Sequence, residues 1–211
     1  MYFYFLLATL SFQSFQDFLL GKNLNRIKNV CNTVFNFTSI FSVLVMGIFF
    51  FFANDISIAI YDNIEVGRWI KILSFLVIFM YIDNIVDGML KGINEHVSVM
   101  LCNILDLIVT ILIIFFIVPI LGMEGYILSI FVSELLNFSV SLYQLKRRVN
   151  FSFPLLLILK CVIAVLISYI ITSLINFNGF TGVINLVINV SIFIIFYFIF
   201  TFISKCYIFK K

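Results

Sequence analysis

Asp83, Asp87, Asp106, Glu134 and Lys160 stand inside otherwise apolar runs, and their chemistry must be explained first. A charge at the centre of a membrane helix costs at least ~2.5–3.5 kcal/mol on the insertion scale, so such side chains face protein or water. Asp83 and Asp87 are four residues apart on one helical face, where two carboxylates repel unless they share a cation. Asp87 lies within a turn of its helix end and Lys160 roughly 9 Å in by helix rise, so both can snorkel to the interface. Asp106 lies deeper, and Glu134 falls near the midplane. These two acids lead as a proton or cation site coupled to transport, with H+ or Na+ as the ion. Asn103, Thr110 and Ser133 would be neutral oxygen ligands. The competing reading is structural: Lys160 neutralises one acid and the others carry their protons.

No catalytic set competes with this site. The single histidine, His96, falls in a connection, and no Ser-His-Asp, H-E-x-x-H or glycine-rich phosphate loop is present. Cys31, Cys102, Cys161 and Cys206 are scattered singly, without C-x-x-C or ligand spacing, and read as reduced packing residues. The expectation is a protein that is not an enzyme and holds no resident cofactor.

The elements that must position the acids are membrane helices. Residues are 64% hydrophobic and 11% charged, which excludes a soluble globule. Open sheet is excluded in lipid because backbone groups must be satisfied internally. Hydropathy predicts seven spans in one transmembrane domain over residues 1–211, near 1–20, 33–52, 69–90, 97–120, 123–145, 154–175 and 183–204. Each is about 20 residues, the length a helix needs to cross roughly 30 Å of hydrocarbon. The longest connection, about residues 53–68, is too short for a soluble domain.

Of thirteen Lys and Arg residues, Lys22, Arg26, Lys28, Lys91, Lys146, Arg147, Arg148, Lys205, Lys210 and Lys211 follow spans 1, 3, 5 and 7. Basic connections stay cytoplasmic during insertion, which puts the C-terminus inside and Met1 outside. The net charge of +3 reflects these flanks and gives no reason to expect nucleic-acid binding. An outer N-terminus with no basic flank and no signal-peptide pattern leads us to expect that the chain starts within something larger.

Polar stripes run along several spans: Asn32, Asn36 and Ser39; Asn103, Asp106 and Thr110; and Ser129, Ser133, Asn137 and Ser141 at every fourth residue. Such stripes serve interhelical hydrogen bonding, or they face a hydrated cavity. The phenylalanine-rich runs at 49–52 and 193–200 read as lipid-facing bias. Pro119 and Gly122 predict a tight turn between the fourth and fifth spans.

Four stretches, in order, resemble the C-terminal half of polysaccharide flippases in the multidrug/oligosaccharidyl-lipid/polysaccharide exporter superfamily, most like its stage V sporulation protein B and lipid II flippase groups. They are LSFQSFQDFLLGKNLNRIKNV (Leu10–Val30), MLKGIN (Met89–Asn94), IVPILGMEGY (Ile117–Tyr126) and LYQLKRRVNFSF (Leu142–Phe153). The first stretch lacks the proline the family usually carries. The resemblance implies the last seven spans of a fourteen-span protein with both ends cytoplasmic, the C-terminal lobe plus two extra helices. It also implies two six-helix lobes rocking around a central cavity. The cationic residues that grip lipid pyrophosphate in such flippases lie mainly in the N-terminal lobe and have no counterpart here.

The expected function is therefore part of a flippase that moves a lipid-linked oligosaccharide or cell-wall precursor across the bacterial cytoplasmic membrane. Half of a cation-coupled multidrug exporter is an alternative within the superfamily. A non-transporting membrane scaffold or an inactive truncated fragment is the alternative outside it. The expected partners are the lipid bilayer, the lipid-linked glycan, and a missing N-terminal half or a second copy of the chain.

Overall fold

The structure, a computed structural model, describes residues 24–149, 153–175 and 182–204. Among them it is all helical, as expected. Eight helices follow one another: α1 Leu24–Phe51, α2 Ala53–Tyr61, α3 Ile64–Leu73, α4 Leu76–Gly92, α5 His96–Leu121, α6 Met123–Arg148, α7 Leu155–Ile175 and α8 Val183–Ile203. Five segments are long and apolar enough to cross a membrane: Lys28–Phe51, α5, α6, α7 and α8. The broken pair α3 and α4 would make a sixth if it is one span. The expected first span, the first half of the Leu10–Val30 resemblance, Cys206 and the basic residues Lys22, Lys205, Lys210 and Lys211 lie outside the described residues.

The stretch read as a connection at 53–68 is instead mostly helix. Asp62, at φ 50°, ends α2, and the Asn63 side chain accepts a 2.8 Å hydrogen bond from the Glu65 amide to start α3. The expected third span is interrupted after Leu73. There the Ser74 hydroxyl donates to the Lys71 carbonyl at 2.7 Å, and the Val77 amide reaches back only three residues, to Ser74. The residues on both sides of this break are apolar, so a hydropathy average passes over it.

The described residues fall into two compact units. One holds the start of α1, α4 from Phe79 onward, α5, α6 and Phe153. Here Phe79 meets Phe138 edge-on at 5.2 Å, and Phe153 bridges Phe138 and Phe35 at 6.4 Å each. The α5–α6 hairpin turns at two glycines of the GMEG sequence. Gly122 has φ +59°, a backbone state that L side chains rarely adopt, and a Cβ on Gly125 would come within 3.0 Å of the Ile117 carbonyl. α5 passes through Pro119 and ends at Leu121, so the glycine and not the proline stops it.

The other unit packs the rest of α1 with α2, α3, α7 and α8. Its core joins Val43, Leu44, Met46 and Phe52 to Cys161, Ala164 and Val165 of α7 and to Phe193 and Tyr197 of α8. The Tyr197 hydroxyl donates to the Ile40 carbonyl at 2.7 Å, which gives a buried phenol its partner. Phe52, Phe193 and Tyr197 thus correct the lipid-facing reading at three positions of the aromatic runs, whereas Phe49 and Phe198 are exposed. Cys31, Cys102 and Cys161 are buried, as packing residues should be.

Candidate functional site

The polar stripe of α6 is where the acids converge. Ser133 donates to the Asp106 carboxylate of α5. One turn on, the Asn137 amide nitrogen donates to Asp83 Oδ2 of α4 at 2.8 Å. One further turn on, the Ser141 hydroxyl donates to Asp87 Oδ1 at 3.3 Å. Gln144 then donates to the Cys102 sulfur at 3.1 Å, and Arg148 pairs with Glu95 at 2.6 Å. A four-residue repeat on one helix face has become a seam of five side-chain contacts along α6.

The register follows from the pairs. Asp83–Asn137 and Asp87–Ser141 are both separated by 54 residues, so α4 and α6 run parallel. Asp106–Ser133 and Cys102–Gln144 are 27 and 42 apart, so α5 runs antiparallel to α6. Three successive helices alternate in direction, as membrane spans joined by short turns must.

The seam leaves acceptors over. Asp83 is buried, and its Oδ1 has no hydrogen-bond partner; Asn137 Oδ1 and Gln144 Oε1 are buried and unpartnered as well. Buried oxygen acceptors without a donor suit a proton or a small cation, since a buried polar atom left unpaired costs about 1–3 kcal/mol. Asp83 lies within electrostatic reach of Asp87, Glu134 and Asp106. A cleft of about 230 Å3 between α5 and α6 reaches Asp106 and Asn137 between apolar walls of Leu105, Val109, Leu136 and Val140.

The candidate residues divide accordingly. Asp83, Asp87, Asp106 and Ser133 belong to the seam. Glu134 is half-buried beside it, within electrostatic reach of Asp106 and Asp87, and makes no hydrogen bond among the described residues. Asn103 is exposed and Thr110 half-buried, and neither contacts Asp106 through a hydrogen bond among the described residues. Lys160 is exposed on α7 in the other unit and forms no ion pair among the described residues. The partners that sequence reasoning missed are Asn137 and Ser141, although their fourfold spacing with Ser133 signalled a common face. Among the described residues no three His, Cys, Asp or Glu side chains converge as a metal site.

Comparison with family models, with curated proteins and with solved structures finds no match.

Proposed function

We propose that this chain is part of a membrane transporter of the flippase kind, which carries a lipid-linked oligosaccharide or a cell-wall precursor across the membrane by alternating access. The observation that supports this reading is the seam itself. Three carboxyl groups sit in consecutive apolar helices, and each is held by one neutral donor from a single stripe on α6. Intramembrane carboxyls are costly and commonly mark ion or substrate pathways. Here the buried unpartnered oxygens of Asp83 and Asn137 offer acceptors for the proton or cation whose movement would bias one conformation. In this reading no covalent step falls to the protein: the seam loads and unloads an ion while helices rock. A path through the membrane needs a second wall, so the transporter includes further helices, from a complementary polypeptide segment or a second copy. A drug-exporting relative would use the seam in the same way and differ in cargo.

One observation favours a second reading. The one-to-one pairing of each acid with a neutral donor is also what a purely structural interhelical clasp would show, worth about 0.6 kcal/mol per contact. The two readings part on sidedness of the lipid-linked precursor. Depleting the chain from its own cells should leave precursor on the cytoplasmic leaflet, scored by its resistance to an externally added glycosidase. Normal export in depleted cells, with resistance unchanged, would leave the scaffold reading standing.

A further inference from the structure

At the far end of α6 the seam opens into a second cleft, of about 190 Å3, lined by Leu90, Glu95, Ser98, Tyr143, Gln144, Arg147 and Arg148. It lies where α4 ends, α5 begins and α6 ends, all within one compact unit. Positive charge outweighs negative here. Lys91, Lys146, Arg147 and Arg148 stand against Glu95, with Asp87 one turn farther into α4.

The Glu95 carboxylate is already engaged at both oxygens. Oε1 takes the Arg148 guanidinium at 2.6 Å, and Oε2 accepts from the Ser98 hydroxyl at 2.9 Å. Arg147 lines the same cleft, is exposed, and forms no ion pair or hydrogen bond among the described residues. The first turn of α5 also lacks a side-chain cap, so its free amides add partial positive charge at the cleft. A guanidinium fork beside helix-end amides suits a phosphate better than a carboxylate, because it offers parallel donors to a tetrahedral oxyanion. Directly along α5, Val97, Met100 and Leu101 are exposed, Val97 by 65%. An anion bound in the cleft therefore has apolar surface leading away from it into the membrane span.

We infer that this cleft binds the phosphate of an anionic phospholipid, with Arg147 as its principal contact and the acyl chains lying along the first turns of α5. The inference needs only that α5 and α6 span the membrane, and it stands whether or not the chain transports anything. The lipid phosphate competes with Glu95 for Arg148, so removing the Arg147 charge and removing the Glu95 charge should change lipid binding in opposite directions.

The test is lipid retention by the purified full-length chain, read by native mass spectrometry after exchange into detergent with phosphatidylglycerol or phosphatidylcholine. Phosphatidylglycerol should be retained in preference. Arg147→Gln should weaken that retention about fivefold, the contribution of one basic residue near an anionic surface. Glu95→Gln, which frees Arg148, should strengthen it. Arg68→Gln, a basic residue of the other unit, should change neither, and helix content by circular dichroism should be unaltered in all three. Equal retention by Arg147→Gln and the unmutated chain would overturn the site. Protection of the chain against heat by inorganic phosphate at the same concentration as the lipid would overturn the assignment to lipid.

Discussion

Asp83 shows what a single residue can and cannot reveal. Its depth and its spacing from Asp87 were readable from sequence, but its partner was not, because Asn137 lies 54 residues away. Only packing brings a donor to one carboxyl oxygen and leaves the other without one. That arrangement makes an asymmetric prediction. Asn137→Ala removes the donor from a buried carboxyl and should cost about 1–3 kcal/mol, seen as a lower melting temperature in detergent. Asp83→Asn supplies an amide that can pair reciprocally with Asn137, so stability should be unchanged or raised. Melting data in which Asp83→Asn is the more damaging of the two would contradict the described hydrogen bonding. Lys160 teaches the opposite lesson: being the only basic residue within a span made it an attractive partner for an acid, yet it is exposed on α7 and unpaired among the described residues.

At the scale of elements, apolar length was the most legible property and helix interruption the least. The helices α5, α6, α7 and α8 follow the hydropathy closely because long uninterrupted apolar runs have one way to satisfy their backbone in lipid. The break at Ser74 and the helices within 53–73 were hidden, because the break lies between apolar runs and the start of α3 turns on the single side chain of Asn63, not on average polarity. The polar stripe on α6 was visible as a period of four, but its pairing depended on the register set by the turn at Gly122. Close packing gives a second paired test. A Cβ on Gly47 would stand 2.8 Å from Val165 Cγ1 and 3.1 Å from Phe193 Cζ, whereas one on Gly88 meets nothing within 4 Å. Gly47→Leu should therefore destabilise the chain by about 1–3 kcal/mol through overpacking. Gly88→Ala should stabilise α4 by roughly 0.5–1 kcal/mol by restricting the unfolded chain. Thermal unfolding of the two variants in the same detergent checks both signs, and destabilisation by both would contradict the packing described.

For the whole molecule, the alternation of α4, α5 and α6 agrees with the basic flanks at Lys91 and at Lys146–Arg148, which belong to one side if these helices span. A phosphatase reporter active only outside the cytoplasm should work when fused after Gly122 and fail when fused after Val149. Activity at both junctions would mean that α6 does not cross. The two compact units, the seam in one and the aromatic core in the other, were not separable from sequence, since both read as the same apolar composition.

The central claim is that the acids of the seam serve movement across the membrane and not only helix packing. The most direct measurement is rescue of precursor export in depleted cells by the chain carrying Asp106→Asn, with the amount of membrane-inserted protein measured alongside. The amide keeps an acceptor for Ser133 but holds no exchangeable charge, so the protein should accumulate normally while export falls at least tenfold. Full rescue by Asp106→Asn at normal protein levels would contradict the account and leave the seam as an interhelical clasp.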